Sequence, residues 1–234
     1  MIRLSKRLKA IADLVPDCDS FTDIGTDHGY LPVWLLNESI CRRAVAADLR
    51  KGPLDTARKN AARYGISGDR IDFVLSDGLA SVIPPETGYN VLSITGMGGP
   101  LISGILLKGK EAAERYDMYL FSPHTGLSDF RRFLVTNGYE IKDEKHLVDE
   151  GKLYVIIKAV SGAAAALDTF PEVYYDFGGF MKEALEDKEV KAGYMRQYHA
   201  LEALILNKGD IPSGKRKELI HKAGQYKEVL GIED

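Results

Sequence analysis

Residues 21–30 combine an apolar, strand-like run with a glycine-spaced turn that holds two carboxylates. The stretch reads Phe-Thr-Asp-Ile-Gly-Thr-Asp-His-Gly-Tyr, and residues 31–37 continue as a predicted helix. A strand that passes through a tight turn into a helix often binds a nucleotide-like cofactor, because glycines admit the ligand and the helix N-terminus offers unpaired N–H groups. We therefore predict a cofactor site here, although an ordinary Asx turn would give the same pattern.

This turn favours a cationic ligand over a diphosphate. In the dinucleotide fingerprint G-x-G-x-x-G, the second glycine lets the pyrophosphate touch the backbone. Here Asp27 stands two residues after Gly25, and its carboxylate would repel a diphosphate at the helix N-terminus. S-adenosylmethionine carries an ammonium and a sulfonium but no phosphate, so it is the cofactor that this turn predicts.

Two further acids stand at the ends of predicted strands. Asp48 ends the strand at residues 43–48, one βα unit beyond the first turn, where a carboxylate often binds a ribose diol. Asp77 follows the strand at residues 70–75 and precedes Gly78, so it could accept a hydrogen bond from the amine of an adenine. An N-cap for Asp48 and a plain turn for Asp77 remain open alternatives.

The next two predicted strands also end in unusual segments. Residues 89–94 lead into Thr-Gly-Met-Gly-Gly-Pro at 95–100, and three glycines in four residues indicate either a close backbone approach to a ligand or a structural corner. Residues 117–121 lead into Ser122-Pro123-His124. Because the carboxyl ends of parallel strands share one edge of a sheet, all these segments should lie together.

The order of elements predicts an α/β fold. Five βα units are followed by two segments, at 139–148 and 152–160, in which apolar and polar residues alternate. The short loop between these two segments indicates a β-hairpin. We predict a Rossmann-like class I methyltransferase domain at residues 1–162, with a mainly parallel seven-stranded sheet that ends in an antiparallel hairpin. Residues 163–234 should form a small α-helical domain.

The C-terminal part has helical periodicity and many charges. Helices are predicted at 170–185, 190–207 and 214–230, with a turn at 207–213. Matching apolar stripes on the last two helices indicate an antiparallel, coiled-coil-like hairpin.

The composition of the 234 residues limits the choice of partners. The formal net charge of -3 excludes a bulk polycation, so nucleic-acid binding would depend on local basic clusters. The two cysteines, Cys18 and Cys41, have no metal or disulfide spacing, which is typical of a cytoplasmic protein. We predict no metal, no membrane segment and no obligate protein partner. The basic clusters, each of which could also be a solvated face, are Lys6-Arg7-Lys9, Arg42-Arg43, Arg131-Arg132 and Lys215-Arg216-Lys217.

Taken in this order, the motifs resemble the bacterial tRNA (adenine(22)-N1)-methyltransferase family (TrmK). The resemblance covers about residues 1–160 and implies S-adenosylmethionine as methyl donor, a Rossmann-like catalytic domain and tRNA as substrate. It also implies a tRNA-binding C-terminal domain. The sequence departs from the family at Thr95, where alanine is usual, and at Ser122-Pro123-His124, where Gln-Pro-Asn is common. The resemblance rests on residues 4–8, 23–32, 48, 52–54, 77–79 and 96–99.

Methyl transfer to adenine N1 depends mainly on the alignment of the reactants. A general base is not required, because the unpaired ring nitrogen already has a lone pair. The segment at 95–99 replaces the Asp/Asn-Pro-Pro-aromatic motif of amine methyltransferases, which favours ring-nitrogen chemistry. A methyltransferase that acts on another RNA or on a small molecule, and a non-enzymatic interaction protein, remain as alternatives. The predicted cofactor-binding residues are Asp23, Gly25, Asp27, His28, Asp48, Leu49, Asp77, Gly78 and Gly96; the predicted target-base contacts are Tyr30, Thr95 and His124; and the predicted RNA-binding residues are Lys6, Arg7, Lys9, Arg131 and Arg132.

Overall fold

The computed structural model describes residues 2–206 and 212–233, apart from the side chain of residue 167. In these residues seven strands form one sheet in the order β3-β2-β1-β4-β5-β7-β6; β1 to β5 pair in parallel, and β7 pairs antiparallel with both β5 and β6. The predicted mainly parallel sheet with a terminal antiparallel hairpin is confirmed. The strands are β1 (Cys18–Ile24), β2 (Cys41–Asp48), β3 (Ile71–Leu75), β4 (Asn90–Thr95), β5 (Met118–Ser122), β6 (Tyr139–Asp149) and β7 (Lys152–Ser161).

Helices connect the parallel strands except β3 and β4, which are joined by a loop at residues 76–89, and four more helices of the described residues follow the hairpin. One short helix, α5, lies in a stretch where the sequence predicted none. The helices of the described residues are α1 (Lys6–Ala12), α2 (Tyr30–Asn37), α3 (Lys51–Arg63), α4 (Gly99–Lys108), α5 (Lys110–Ala113), α6 (Leu127–Thr136), α7 (Glu172–Phe177), α8 (Met181–Ala184), α9 (Lys188–Leu206) and α10 (Ser213–Leu230).

The central strands are apolar because both of their faces are covered. All five residues of β5 are buried, and Phe21 on β1 and Leu92 on β4 are fully buried. Near-continuous apolar strands are expected where helices pack on both faces of a parallel sheet. The core of the sheet therefore divides into two apolar clusters.

The strand order reverses between β1 and β4, since β2 flanks β1 on one side and β4 flanks it on the other. In open α/β sheets, ligands bind in the crevice outside the carboxyl ends of the strands at such a switch point. The register pairs Ile24 with Ala47 and Thr95 with Ser122, so the loops after β1, β2, β4 and β5 leave the same edge.

The prediction of one helix at 170–185 is wrong. The chain forms α7 and α8 instead, separated at Gly178, whose φ of +93° lies outside the helical region. A Cβ at this glycine would lie 1.6 Å from Oε2 of Glu144, so only glycine fits. The helix ends here because the chain passes directly over a buried carboxylate.

The last two helices form the predicted antiparallel hairpin. The Tyr226 hydroxyl donates to Oε1 of Gln197 at 2.8 Å, and Nη2 of Arg216 donates to the Ile205 carbonyl at 2.7 Å. Of the predicted turn at 207–213, residues 207–211 lie outside the described residues. A third apolar cluster joins these helices to α7, α8 and the β6–β7 hairpin.

Candidate functional site

A cavity of about 490 Å³ opens at the carboxyl ends of the parallel strands, and Arg7 and Leu8 of α1 line its edge. Its volume is in the range of small-molecule sites. The nine predicted cofactor-binding residues and the three predicted base-contact residues all line this cavity. The structure therefore brings together side chains from six separate segments of the chain.

The turn after β1 has a left-handed backbone. Gly25, Asp27 and Gly29 have φ values of +75°, +53° and +68°. The Gly25 N–H donates to the Ala47 carbonyl at 2.8 Å, which fixes the turn against β2. A Cβ at Gly29 would lie 2.7 Å from the Cβ of Ala57, so this glycine allows the N-terminus of α2 to pack on α3.

The loops after β4 and β5 are hydrogen-bonded to each other beside this turn. The Gly96 N–H donates to the Ser122 carbonyl at 3.2 Å, and the His124 N–H donates to the Met97 carbonyl at 2.8 Å. The methyl group of Met97 lies 2.2 Å from where a Cβ of Gly25 would stand. The glycine-rich segment is therefore a packed corner that places Thr95 at the cavity and is hydrogen-bonded to the loop that bears His124.

The Asp48 carboxylate is held in one orientation. Its Oδ1 accepts the Arg50 N–H at 2.9 Å and its Oδ2 accepts the Asp27 N–H at 3.4 Å. The side chain is only 8% exposed, yet it lines the cavity. Each oxygen keeps a second acceptor site, which suits it to bind a diol.

Asp23 is the most deeply placed acid of the cavity, at 5% exposure. Burial raises the pKa of Asp23 from its ordinary 3.8 to about 6, while the hydroxyls of Thr26 and Ser93 oppose the rise. Among the described residues no basic side chain forms an ion pair with it. The cavity thus contains a carboxylate that a cationic ligand would stabilise.

His124 lies at the opposite wall, beside Arg7 and Tyr154. Nη1 of Arg7 is 3.5 Å from Nε2 of His124, and its guanidinium carbon is 5.2 Å from the centre of the Tyr154 ring. Burial, and after it the charges of Arg7 and Lys152, lower the pKa of His124 below its ordinary 6.5. The lowered pKa favours the neutral imidazole at pH 7.

Helix α1 is fixed over this wall by the hairpin turn. The Arg7 N–H donates to Oδ2 of Asp149, and Ser5 caps the helix through the Leu8 N–H at 3.2 Å. Arg7, which the sequence assigned to RNA, is therefore part of the cavity wall. Lys6 instead pairs with Glu189 on α9, and Lys9 pairs with Asp13.

The rim of the cavity is acidic and apolar on the β1–β3 side. Asp27 and Asp77 are exposed there, and the Leu49 side chain next to Asp48 is 65% exposed. Leu101 of α4 adds a second exposed apolar side chain. Carboxylates and bare apolar side chains fit a cationic nucleoside and do not fit a diphosphate.

One predicted RNA contact is wrong. Arg131 is 1% exposed, so it cannot reach a phosphate. Its Nε donates to Oε1 of Glu144 at 2.7 Å, and its Nη1 donates to the carbonyls of Tyr175 and Asp176 at 2.9 and 3.1 Å. This guanidinium satisfies the carbonyl groups at the end of α7, a role that only the folded chain reveals. Its neighbour Arg132 pairs with Glu172.

Several lining residues were absent from the predicted set. Arg50 and Thr26 are adjacent in sequence to predicted residues, so the sequence already indicates that they lie near the cavity. Met97 lies inside the glycine-rich segment. Ile105 reaches the cavity only because α4 packs against Gly78, where its side chain approaches within 2.9 Å of a would-be Cβ. No pattern in the sequence predicts the contact between Ile105 and Gly78.

No cluster of His, Cys, Asp and Glu suited to a metal occurs in the described part of the chain. No helix among residues 2–206 and 212–233 is long and apolar enough to cross a bilayer. Both cysteines are buried and free, and burial raises the pKa of each thiol to about 12.

Comparison with known proteins agrees with this geometry. Residues 4–157 match the family model described as a methyltransferase domain. The chain is 30% identical over 161 residues to the tRNA (adenine(22)-N(1))-methyltransferase of Bacillus subtilis (strain 168), an alignment that covers 69% of this chain and 66% of that relative. The chain thus spans just under two thirds of the length of this curated relative.

Two solved structures share the fold over nearly the whole chain. M. capricolum TrmK, in complex with S-adenosyl-homocysteine, has a TM-score of 0.83 and 25% identity, and covers 98% of each chain. A Streptococcus pneumoniae protein in complex with S-adenosyl-L-methionine has a TM-score of 0.85 and 28% identity, and covers 97% of this chain and 100% of that one. With the matching methyltransferase domain and the cavity at the switch point, these likenesses show that the chain belongs to the tRNA (adenine(22)-N1)-methyltransferase (TrmK) family.

Proposed function

We propose that this protein transfers a methyl group from S-adenosylmethionine to N1 of adenine 22 in tRNA. The observation that carries the proposal is the single cavity in which Asp23, Asp48 and Asp77 meet the loops after β4 and β5. The solved relatives that bind S-adenosylmethionine or S-adenosyl-homocysteine share this fold over nearly the whole chain. The tRNA substrate would place the reaction in the cytoplasm.

The donor supplies an electrophilic methyl group on a sulfonium, and the chain binds and orients it. Asp48 presents two fixed carboxylate oxygens for the ribose hydroxyls, and Leu49 offers an apolar surface for the adenine ring. Asp23 and Asp27 place negative charge near the cationic part of the donor. Asp77 and Gly78 close the adenine side, and Gly25, His28 and Gly96 complete the walls.

The target base would enter from the side of the β4 and β5 loops. Since N1 of a paired adenine is not accessible, the base must leave its stack and enter the cavity. Tyr30, Thr95 and His124 are the side chains that we propose to contact it. A neutral His124 adds no positive charge beside a ring that becomes cationic on methylation, which favours the transition state over a protonated imidazole.

We also propose that residues 163–234 form the tRNA-binding unit, separate from the catalytic unit at 1–162. The exposed cations of α9 and α10 support this role, although Lys215 faces Glu218 and Arg216 is bonded to the Ile205 carbonyl. Lys6, Arg7, Lys9 and Arg132 would extend the basic surface towards the cavity.

The proposal is tested by incubating the protein with S-adenosylmethionine and unmodified tRNA and mapping methylated adenines by mass spectrometry. We expect one N1-methyladenine at position 22. Methylation of another RNA position, or of a small molecule only, would contradict the assignment in favour of the alternative substrates. Absence of donor binding by calorimetry would contradict methyltransferase activity altogether.

The His124→Ala variant tests the base contact. We expect the single-turnover rate at saturating tRNA to fall by roughly tenfold to hundredfold, since a misplaced base loses its alignment with the methyl group. Donor affinity should stay within about twofold. The control is His221→Ala, because His221 is exposed on α10 and is not among the residues that line the cavity. Equal rates for the two variants would remove His124 from the site.

A further inference from the structure

A groove of about 650 Å³ lies next to the cofactor cavity, between the turn of the β6–β7 hairpin and one side of α9. His124 lines both the cavity and the groove, so the two spaces meet at this side chain. We call it the flanking groove. It is lined by His124, Gly151, Lys152, Leu153, Tyr154, Gly193, Arg196, Gln197 and Ala200.

The flanking groove is basic. Lys152 and Arg196 are both exposed in it, and no carboxylate is among its lining residues. Within the described ranges, neither cation forms an ion pair with an acidic side chain. Two exposed cations that face one groove are suited to bind a phosphate.

An aromatic ring forms the boundary between groove and cavity. Tyr154 is half-buried, and its ring centre is 5.7 Å from that of His124, with the Arg7 guanidinium over the ring. Aromatic rings and guanidinium planes are the usual stacking partners of unpaired RNA bases. The boundary thus offers a stacking partner beside the two cations.

The charge around the cavity favours this direction for a polyanion, although Arg50 is also exposed at the end of β2. On the β1–β3 side, the exposed carboxylates of Asp27 and Asp77 would repel a phosphate. On the hairpin side, Arg7 and Lys152 flank His124 closely enough to lower its pKa. We therefore expect an RNA strand that delivers a base to the cavity to leave over the hairpin and α9.

We propose that the flanking groove binds the nucleotide next to the flipped adenine, with Lys152 and Arg196 on its phosphate and Tyr154 against its base or ribose. This inference rests on the proposed function and adds a subsite to it. The subsite would keep the RNA strand single-stranded on one side of the target, which stabilises the flipped state.

The test measures tRNA binding by Lys152→Ala/Arg196→Ala across a range of salt concentrations. We expect the affinity for unmodified tRNA to fall by about tenfold, and the slope of log affinity against log salt to decrease by about one, because both cations contact the same phosphate. Donor affinity should not change. The matched control is Lys59→Ala/Lys108→Ala, which removes two exposed cations on α3 and α4 that line neither the cavity nor the groove. Identical slopes for the double variant and the control would overturn the proposal.

A cross-link identifies the bound nucleotide directly. Ala200 lines the groove, is exposed, and can be replaced by p-benzoylphenylalanine. We expect the cross-linked nucleotide to be a direct neighbour of the methylated adenine, whereas a cross-link confined to a distant stem would overturn the subsite. If the wild-type protein methylates tRNA and these results are negative, only the subsite fails. If the wild-type protein methylates no tRNA, the proposed function fails.

Discussion

Two carboxylates of this chain are equally buried and behave in opposite ways. Asp23 in the cavity and Glu144 at the junction between the sheet and the C-terminal helices are each 5% exposed. Burial raises the pKa of Asp23 to about 6. Burial also acts to raise the pKa of Glu144, but the His146 ring and the Arg131 guanidinium outweigh it, and the pKa of Glu144 is lowered.

The pKa values of the two carboxylates differ because only Glu144 is in direct contact with a cationic side chain. Arg131 contacts both oxygens of Glu144, at 2.7 and 3.2 Å, and Nε2 of His146 lies 3.6 Å from Oε2. Around Asp23, the hydroxyls of Thr26 and Ser93 and, as the smallest effect, the charge of Arg7 act to lower the pKa, but burial outweighs them. The Glu144 carboxylate is therefore in direct contact with a cation in the folded chain, whereas the Asp23 carboxylate would gain such a contact only from a cationic ligand.

The largest effect is expected at the junction. Arg131→Met leaves Glu144 buried without its cation and leaves the carbonyls at the end of α7 without a donor. We expect the free energy of unfolding to fall by roughly 3–5 kcal/mol, measured by chemical denaturation. The double variant Arg131→Met/Glu144→Gln should recover a large part of the loss, because no buried charge remains.

Arg132→Met is the matched control for Arg131, since Arg132 is the next residue of α6 and its side chain is 24% exposed. Its loss should cost less than about 1 kcal/mol. Equal losses in the free energy of unfolding for Arg131→Met and Arg132→Met would contradict the conclusion that the buried Arg131–Glu144 pair stabilises the fold more than the exposed Arg132–Glu172 pair.

A smaller effect of opposite sign is expected in the cavity. Because the pKa of Asp23 is raised from 3.8 to about 6, its ionisation opposes folding by roughly 3 kcal/mol at pH 7. Asp23→Asn should therefore stabilise the ligand-free protein at pH 7, and the gain over wild type should vanish as the pH falls from about 6 to below 3.8. Urea denaturation of both proteins across this range measures the difference.

The same variant should bind S-adenosylmethionine more weakly by about tenfold, since it lacks the charge that attracts the donor. If the Asp23→Asn variant is no more stable than the wild type at pH 7, a cation must stabilise the Asp23 carboxylate in the ligand-free protein.

Glu144 gives the opposite dependence of stability on pH. Its contribution to the stability of the folded protein is present above its ordinary pKa of 4.5 and is lost as the pH falls through the lowered pKa.

The smallest effect concerns Arg7, the half-buried counterpart of Arg131 in the cavity wall. Arg7→Gln removes a cation beside His124, so the pKa of His124 should rise towards 6.5 without reaching it, because burial is the larger cause of its lowering. An NMR titration of the imidazole measures the change. A pKa that stays constant would show that Arg7 is screened by solvent.

Much of the fold could be predicted because its signals are local. The run at residues 21–24 and the glycines at 25 and 29 indicated a strand, a turn and a helix, and β1 and α2 are found there. The alternation before and after Gly151 indicated the β6–β7 hairpin, which is also found. Whether a segment forms a helix, a strand or a turn depends on the periodicity of its apolar side chains and on the positions of glycine and proline. Both can be read directly from the sequence.

The helix predicted at 170–185 failed for a reason that is not local. Its residues have helical periodicity, but the Glu144 carboxylate, which belongs to another element, lies beside Gly178 and ends the helix. Likewise, Arg131 resembles a surface cation in the sequence, and only the packing of α6, β6 and α7 encloses it.

By itself, the sequence determined which acids stand at strand ends, because the order of strand, turn and helix places them at one edge of a parallel sheet. Only the tertiary structure decided which charges face a partner. The pKa and the role of a buried group depend on what lies within a few ångströms, and those neighbours come from distant parts of the chain. For this reason Asp23 could be assigned to the cavity in advance, whereas the enclosure of Arg131 and the basic groove at Lys152 and Arg196 could not.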